Sequence, residues 1–160
     1  MPYTTLPEIG DFGVLMTASL LKQIKENLDY LKSPPRYIYT RPFGAPDYSI
    51  SSTSFVDLDA TNLAATLTFT GEPVLVTFYC GRLNYSSSPT FYTLNVDGAN
   101  IGNGNSGLGY IAVANVPISF SWVITGLSAG QHTIKFQARV TAGTMTFLAA
   151  NGIQFIVTEI

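Results

Sequence analysis

From Tyr48 onward, apolar and polar residues alternate with a period of two, and this alternation limits the possible folds more than any other feature of the sequence. The alternating runs are rich in β-branched and aromatic residues, which is typical of strands buried on one face. Glycine-ending dipeptides that favour tight turns separate several runs: Asp97-Gly98, Ala129-Gly130, Ala142-Gly143 and Asn151-Gly152. The pattern predicts nine strands, at residues 49–58, 63–69, 74–80, 91–96, 108–113, 118–124, 132–140, 144–149 and 153–159.

Short strands with tight connections predict a mainly β protein, an antiparallel β-sandwich that is jelly-roll-like or immunoglobulin-like in general shape. A chain of 160 residues is long enough for one domain with a real core. Alternation places one set of side chains on the core-facing side: Ile134, Phe136, Ala138, Val140, Phe147 and Phe155. We expect Trp122 to lie in the same core.

Before the strands, the sequence predicts an extended arm and one short N-terminal helix. Residues 1–16 mix proline, glycine and aromatic residues without a period, whereas Thr17 is a suitable N-cap. After it, Leu21, Ile24, Leu28 and Leu31 follow the a and d spacing of two heptads. Helices shorter than about 12–15 residues are marginal in water, so this apolar seam must pack on something. Two partners stay open: the chain's own sandwich, or identical helices in a parallel coiled coil.

Ser33-Pro34-Pro35 is predicted to end the helix, because proline cannot donate the next backbone hydrogen bond. The following residues, up to Asp47, read as a proline-rich linker whose aromatic side chains indicate that it is pinned against a surface. The sequence thus predicts two parts. Residues 1–47 form an arm, helix and linker for oligomerisation and attachment, and residues 48–160 form the sandwich domain.

The composition favours an assembling subunit. Apolar residues make up 46% of the chain and charged residues 11%, against about 25% charged residues in ordinary soluble domains. We therefore expect neighbouring chains to cover part of the surface. The formal charge of −2, with no strongly basic region, argues against nucleic acid as a partner. No apolar run is long enough for a membrane-spanning helix, and the first residues lack a secretion signal, so we expect synthesis in a cytosol.

Few residues are suited to catalysis or metal binding. The single histidine, His132, lies where a turn passes into a strand, and we expect it to hydrogen-bond nearby backbone. The single cysteine, Cys80, lies in an apolar run and reads as a small buried side chain. One histidine and one cysteine cannot complete a tetrahedral zinc shell within one chain, although a shell shared between copies stays conceivable. We expect no cofactor, no metal and no catalytic residue.

Two weaker patterns have simpler explanations. Asp57 and Asp59 share a strand face as paired carboxylates would, but Asp59 is followed by Ala60-Thr61-Asn62, and we expect the pair to cap that turn. The glycines between residues 102 and 109 resemble a phosphate-binding loop, yet neither lysine nor a helix follows them.

A carbohydrate-binding sandwich is the alternative to a purely structural role, and an unrecognised hydrolase is a third. Several aromatic residues offer stacking surfaces, but Tyr79, Tyr92 and Trp122 alternate into predicted cores. Tyr85 and Tyr110 remain as the residues expected to face a ligand such as a host-surface glycan.

Two parts of the sequence together resemble bacteriophage and prophage tail or appendage proteins. Residues 17–31, TASLLKQIKENLDYL, are similar to the segment T-A-x-x-L-N-x-I-x-x-N-L-x-Y-L near the N-terminus of many such proteins. Lys22 stands where family members often carry asparagine. The sandwich resembles domains that often follow this segment, through residues 92–98 (YTLNVDG), 126–134 (GLSAGQHTI) and 155–159 (FIVTE).

The resemblance implies a virion structural protein made in the host cytoplasm. Such proteins are tail-fibre or baseplate appendages or capsid decoration subunits, commonly trimers, and they act through interfaces with themselves and with other virion proteins. The expected self-association residues are Leu21, Ile24, Leu28 and Leu31.

Overall fold

The computed structural model describes residues 18–85 and 89–160. The predicted helix is confirmed as α1, Ala18–Lys32; the N-cap predicted at Thr17 lies outside the described residues. The helix ends where expected, since the Ser33 N–H donates to the carbonyls of Asp29 and Tyr30 at 3.1 Å each before the two prolines. No helix in the described part of the chain is long and apolar enough to cross a membrane.

The rest of the described chain is mainly β, as the alternation predicts. In chain order the strands are β1 Arg36–Thr40, β2 Tyr48–Ile50, β3 Val56–Asp57, β4 Ala64–Phe69, β5 Val74–Cys80, β6 Leu83–Tyr85, β7 Thr90–Val96, β8 Ala99–Asn100, β9 Gly109–Ile111, β10 Ile118–Ile124, β11 Gly130–Val140, β12 Met145–Phe147 and β13 Ile153–Glu159. Short 3₁₀ turns lie at Gly104–Ser106 and Ala149–Asn151.

The strands form antiparallel sheets, which confirms the predicted fold class. One sheet has the order β1-β13-β5-β10. A second has the order β3-β11-β7-β8, with β4 also paired to β11 and β9 to β7. A small third sheet has the order β2-β12-β6.

The core lies between the first two sheets. The ring of Phe78 on β5 stacks on that of Phe136 on β11, with centroids 4.0 Å apart and an interplanar angle of 5°. Burying such rings on folding is the main driving force for joining the sheets. The predicted core-facing set is confirmed as buried: Ile134, Phe136, Ala138, Val140, Phe147 and Phe155.

The prediction that Trp122 lies in the core is wrong. Trp122 pairs with the buried Val76 and therefore points to the core-facing side, but β10 is the last strand of its sheet. No further strand of the described chain covers the indole, which is 43% exposed. Tyr79 was also expected to face inward, yet it lies on the outer side of β5 and is 38% exposed.

The predicted strand at residues 49–58 is split into β2 and β3. The Ser52 hydroxyl donates to the Ser54 carbonyl at 2.7 Å and accepts from the Ser54 N–H at 3.1 Å. Such local side-chain bonds offer the backbone an alternative to the sheet ladder. Similarly, the 3₁₀ turn at Ala149–Asn151 shortens the strand predicted at residues 144–149 to Met145–Phe147.

The predicted linker begins with a strand that the sequence interpretation missed. All five residues of β1 pair with β13, from Arg36 opposite Thr158 to Thr40 opposite Gln154. Tyr37 faces inward and meets Phe155 edge-on, with ring centroids 6.3 Å apart. The surrounding prolines concealed this alternation.

The expectation that the connector after β1 is pinned is confirmed at its two ends, Arg41 and Tyr48, whereas Phe43 between them is 81% exposed. Arg41 is buried, and its guanidinium lies 3.7 Å from the ring centroid of Tyr48. The guanidinium also donates to the Pro46 carbonyl at 3.0 Å and to the Tyr39 hydroxyl at 3.3 Å. These contacts hold Arg41, Pro46 and Tyr48 together, and the Asp47 carboxylate accepts from the Ala149 N–H at 2.8 Å.

Candidate self-association surface

The apolar seam of α1 is largely uncovered by the sandwich of its own chain. Leu21 and Leu28 are each 49% exposed and Leu31 is 64% exposed, whereas Ile24 is half-buried. All four residues follow the spacing of a coiled-coil seam. Folding of one chain thus leaves a row of leucines in contact with water.

The opposite face of α1 carries ion pairs instead. Lys22 lies 3.7 Å from Glu26, and Lys25 pairs with Asp29 one turn further along. Pairs spaced four residues apart support a helix by about 0.2–0.5 kcal/mol each. The helix is therefore amphipathic, with solvent on both its polar face and part of its apolar seam.

The last turn of α1 places Tyr30, which is half-buried, near Thr70 and Glu159 of the sandwich. Burial is the main cause that raises the pKa of Tyr30, and the nearby Glu159 carboxylate raises it further. The Glu159 N–H donates to the Pro35 carbonyl at 3.0 Å, which holds the residues after the helix. The C-terminal end of α1 therefore has a defined position on the sandwich.

Glu159 is a structural residue that the sequence interpretation did not single out. It is buried, and its Oε1 accepts from the N–H groups of Thr70 at 2.7 Å, Gly71 at 3.2 Å and Glu72 at 3.1 Å, and from the Thr70 hydroxyl at 2.9 Å. A carboxylate bound by several donors can remain buried. Its position in the alternation could have identified Glu159 as buried, since it continues the inward-facing series Ile153, Phe155, Val157.

The two aspartates predicted to cap a turn are separated by the structure. Asp59 does cap it, with Oδ1 accepting from the N–H groups of Thr61 at 2.8 Å and Asn62 at 2.9 Å. Asp57 instead pairs with Lys135 and Gln137 on β11, at 2.9 and 2.7 Å. Burial by itself raises the pKa of Asp59, but hydrogen bonds from Tyr48, Asn62 and Thr61 outweigh it and lower that pKa to about 2.

His132 forms contacts that resemble a serine hydrolase triad in connectivity. Its Nδ1 lies 2.6 Å from Asp97 Oδ2, and its Nε2 lies 3.3 Å from the Ser128 hydroxyl. However, Nε2 is closer to the Ser128 carbonyl oxygen, at 3.0 Å. This contact with nearby backbone is the one the sequence predicts.

Hydrogen-bond acceptors lie beside both ring nitrogens of His132. A carbonyl and a carboxylate only accept hydrogen bonds, so each ring nitrogen is placed to donate a proton. The hydrogen bond with Asp97 is the main cause that raises the pKa of His132. The arrangement ties the start of β11 to the Asp97-Gly98 turn.

Tyr110 is exposed as predicted, and it lies at the end of a row across three strands. Its ring is 65% exposed and meets that of Phe91, with centroids 5.7 Å apart. On the other side of Phe91, the Arg139 guanidinium lies 4.3 Å from the ring centroid and donates to the Asn105 carbonyl. The side chain of Tyr85 lies outside the described residues. Tyr85 belongs to β6 of the third sheet, whereas Tyr110 belongs to β9 of the second.

The remaining candidates for chemistry are buried or dispersed. Cys80 is buried as predicted; its thiol donates to the Arg82 carbonyl at 3.1 Å, and burial raises its pKa. Within residues 18–85 and 89–160, no three or more histidine, cysteine, aspartate or glutamate residues are grouped to hold a metal ion.

No family model matches the chain, and no curated protein matches it. Among solved structures, it is similar to the PRD1 vertex protein P5, with a TM-score of 0.42, 10% identity, and coverage of 79% of this chain and 95% of that one. It is also similar to the enzymatically active domain of tailspike protein 4 of bacteriophage CBA120, with a TM-score of 0.34, 11% identity, and coverage of 78% and 19%. A third is VP2 of the infectious bursal disease virus subviral particle, with a TM-score of 0.34, 13% identity, and coverage of 78% and 37%. These TM-scores are too low to carry an argument about function.

Proposed function

We propose that the protein is a bacteriophage virion structural protein that associates with itself through the seam of α1. The observation that carries the proposal is the row of exposed leucines at heptad spacing: Leu21, Leu28 and Leu31. The resemblance of residues 17–31 to phage tail and appendage proteins supports the same role. Function in such a protein belongs to its interfaces.

The proposed assembly is a trimer in which three copies of α1 bury their seams together. Completing the burial of a half-exposed leucine is worth about 1 kcal/mol, so several copies in one bundle gain a useful total. The ion pairs of Lys22 and Lys25 remain on the outer faces of the bundle. Residues 1–47 would supply self-association and attachment, and the sandwich would face other virion proteins. Whether the particle position is a tail fibre, a baseplate or a capsid surface depends on those partners.

Replacing Ile24 and Leu28 together with aspartate tests the proposal. Charges in the seam cannot be buried without a large cost, so the variant should lose the trimer while the sandwich remains folded. Analytical ultracentrifugation gives the mass, and circular dichroism with chemical denaturation checks the fold.

The matched control is Ser19→Asp with Gln23→Asp, which adds the same charges to α1 away from the seam. It should keep the wild-type mass. An unchanged mass for the seam variant would contradict the proposal.

Binding of a host-surface glycan stays the alternative prediction. Tyr110 is accessible enough to stack on a sugar ring, but the neighbouring Arg139 already donates to the Asn105 carbonyl. This row has fewer free polar groups than sugar recognition normally needs, so the seam is the better-supported site.

A further inference from the structure

Within residues 18–85 and 89–160, the four-stranded sheet ends at β10, and no strand pairs with the outer edge of β10. Each residue of β10 is opposite a residue of β5, from Ile118 opposite Cys80 to Ile124 opposite Val74. Within the described residues, no backbone hydrogen bond joins β10 to a strand on its other side. Alternate residues of an edge strand direct their N–H and C=O groups away from the sheet. The described part of the chain therefore leaves a row of backbone donors and acceptors of β10 without partners.

β10 lacks the features that normally protect an edge strand. Proteins block such edges with charged side chains, proline or bulges. The sequence of β10, ISFSWVI, contains no charged residue, proline or glycine. Trp122 and Val123 are 43% and 46% exposed and lie on opposite faces of the sheet. A long, uncharged edge with exposed apolar groups is suited to pairing with another strand.

The sequence of β10 is complementary to itself about its central residue, Ser121. If two copies pair in opposite directions with Ser121 facing Ser121, each apolar end residue meets another, because Ile118 faces Ile124. Likewise Phe120 faces Trp122, and Ser119 faces Val123. Aromatic pairs and matched serines opposite each other stabilise antiparallel strands by about 0.2–1 kcal/mol per pair.

We propose that β10 pairs with β10 of a second copy across a two-fold axis at Ser121. The two four-stranded sheets then become one eight-stranded sheet, and each Trp122 is covered by Phe120 of the other copy. A two-fold contact uses the same surface on both chains, which a self-complementary strand satisfies. The contact is separate from the seam of α1; together the two would join trimers into larger assemblies.

β1, at the other end of the same sheet, is a less suitable partner than β10 for the β10 strand of a second copy. It is also an edge strand, but it carries the exposed Arg36, and its sequence RYIYT is shorter than β10. Its position nevertheless provides a matched control. Ile38 of β1 lies in the same cross-strand row as Ser121, through Ile156 and Thr77, and is also exposed.

The test uses the Ile24→Asp, Leu28→Asp chain, so that α1 does not contribute to association. With β10 unchanged, sedimentation should show a concentration-dependent change from one chain to two. Ser121→Lys or Ser121→Glu places like charges directly opposite each other and should leave single chains. Mixing the Lys and Glu variants should restore pairs of chains, whereas Ile38→Lys should have no effect.

Trp122 provides a second readout because it is the single tryptophan of the chain. Its fluorescence emission should shift to shorter wavelength as pairs form, and should not shift in Ser121→Lys. The proposal is overturned if the seam-disrupted chain stays single at all concentrations, or if the Lys and Glu variants do not recover on mixing. Loss of pairing in Ile38→Lys would also overturn it, in favour of β10 joining β1. None of these outcomes depends on whether α1 forms a trimer.

Discussion

At the residue scale, the alternation in the sequence identified which side of a strand each residue takes but not whether anything covers it. Phe136 and Trp122 both lie on core-facing sides, and their sequence settings look alike. Phe136 is buried because β11 lies inside its sheet, between β3 or β4 and β7, whereas Trp122 is exposed because β10 ends its sheet. Strand order depends on long-range pairing, which a local pattern does not contain.

This difference predicts unequal costs when the two rings are removed. Phe136→Ala should lower the free energy of unfolding by about 3–5 kcal/mol, because it leaves a cavity beside Phe78. Trp122→Ala should cost on the order of 1 kcal/mol in the single chain, since much of its ring is already in water. Urea denaturation of both variants measures the difference. Equal costs would mean that Trp122 is covered in the folded chain.

At the element scale, the helix and the long strands were predictable with nearly their observed bounds, whereas β1, β6 and β8 were not predicted. β5, β10 and β13 have the predicted bounds, because each is a full alternating run ended by turn residues. β6 and β8 have three and two residues, too few to show a period. β1 was missed because prolines follow it, although its tyrosines alternate inward. The helix seam was visible in the sequence, but its exposure depends on where α1 leaves the sandwich.

The connector between β1 and β2 should be sensitive to acid through Asp59. Its pKa is lowered to about 2, so the ionised form is favoured in the folded chain relative to the unfolded chain. The stabilisation is complete above the ordinary value of about 4 and is lost as pH falls toward about 2. This contribution is on the order of 2 kcal/mol.

Denaturation at several pH values tests the role of Asp59. Between neutral pH and about pH 2, the wild type should lose about 2 kcal/mol more than Asp59→Asn, which has no carboxylate to titrate. Asp57→Asn is a comparison on the neighbouring strand, and it should retain the acid loss that belongs to Asp59. Identical acid profiles for the wild type and Asp59→Asn would rule out this assignment.

At the scale of the whole molecule, the small number of charges corresponds to specific uncovered surfaces. Charged residues make up 11% of the chain, and the two proposed contacts avoid them: the seam presents leucines, and β10 is uncharged. Composition alone predicted that neighbours cover part of the surface. It did not indicate which part, because that depends on which helix face and which sheet edge the fold leaves open.

Assembly through these surfaces should depend little on salt. At about 0.05 M salt, charges act over a Debye length of roughly 14 Å, and at about 0.5 M over roughly 4 Å, so contacts between charged groups weaken over this range. Burial of leucine and tryptophan side chains does not weaken, and sulfate should strengthen it. Sedimentation of the wild type should therefore give the same mass across the range in sodium chloride, and an equal or larger mass in sodium sulfate.

The mixed Ser121→Lys and Ser121→Glu pair, in the seam-disrupted chain, is the internal comparison, because its added attraction is electrostatic and should weaken with salt. Dissociation of the wild type as sodium chloride rises would show that charged groups hold the assembly, and both proposed contacts would then be insufficient.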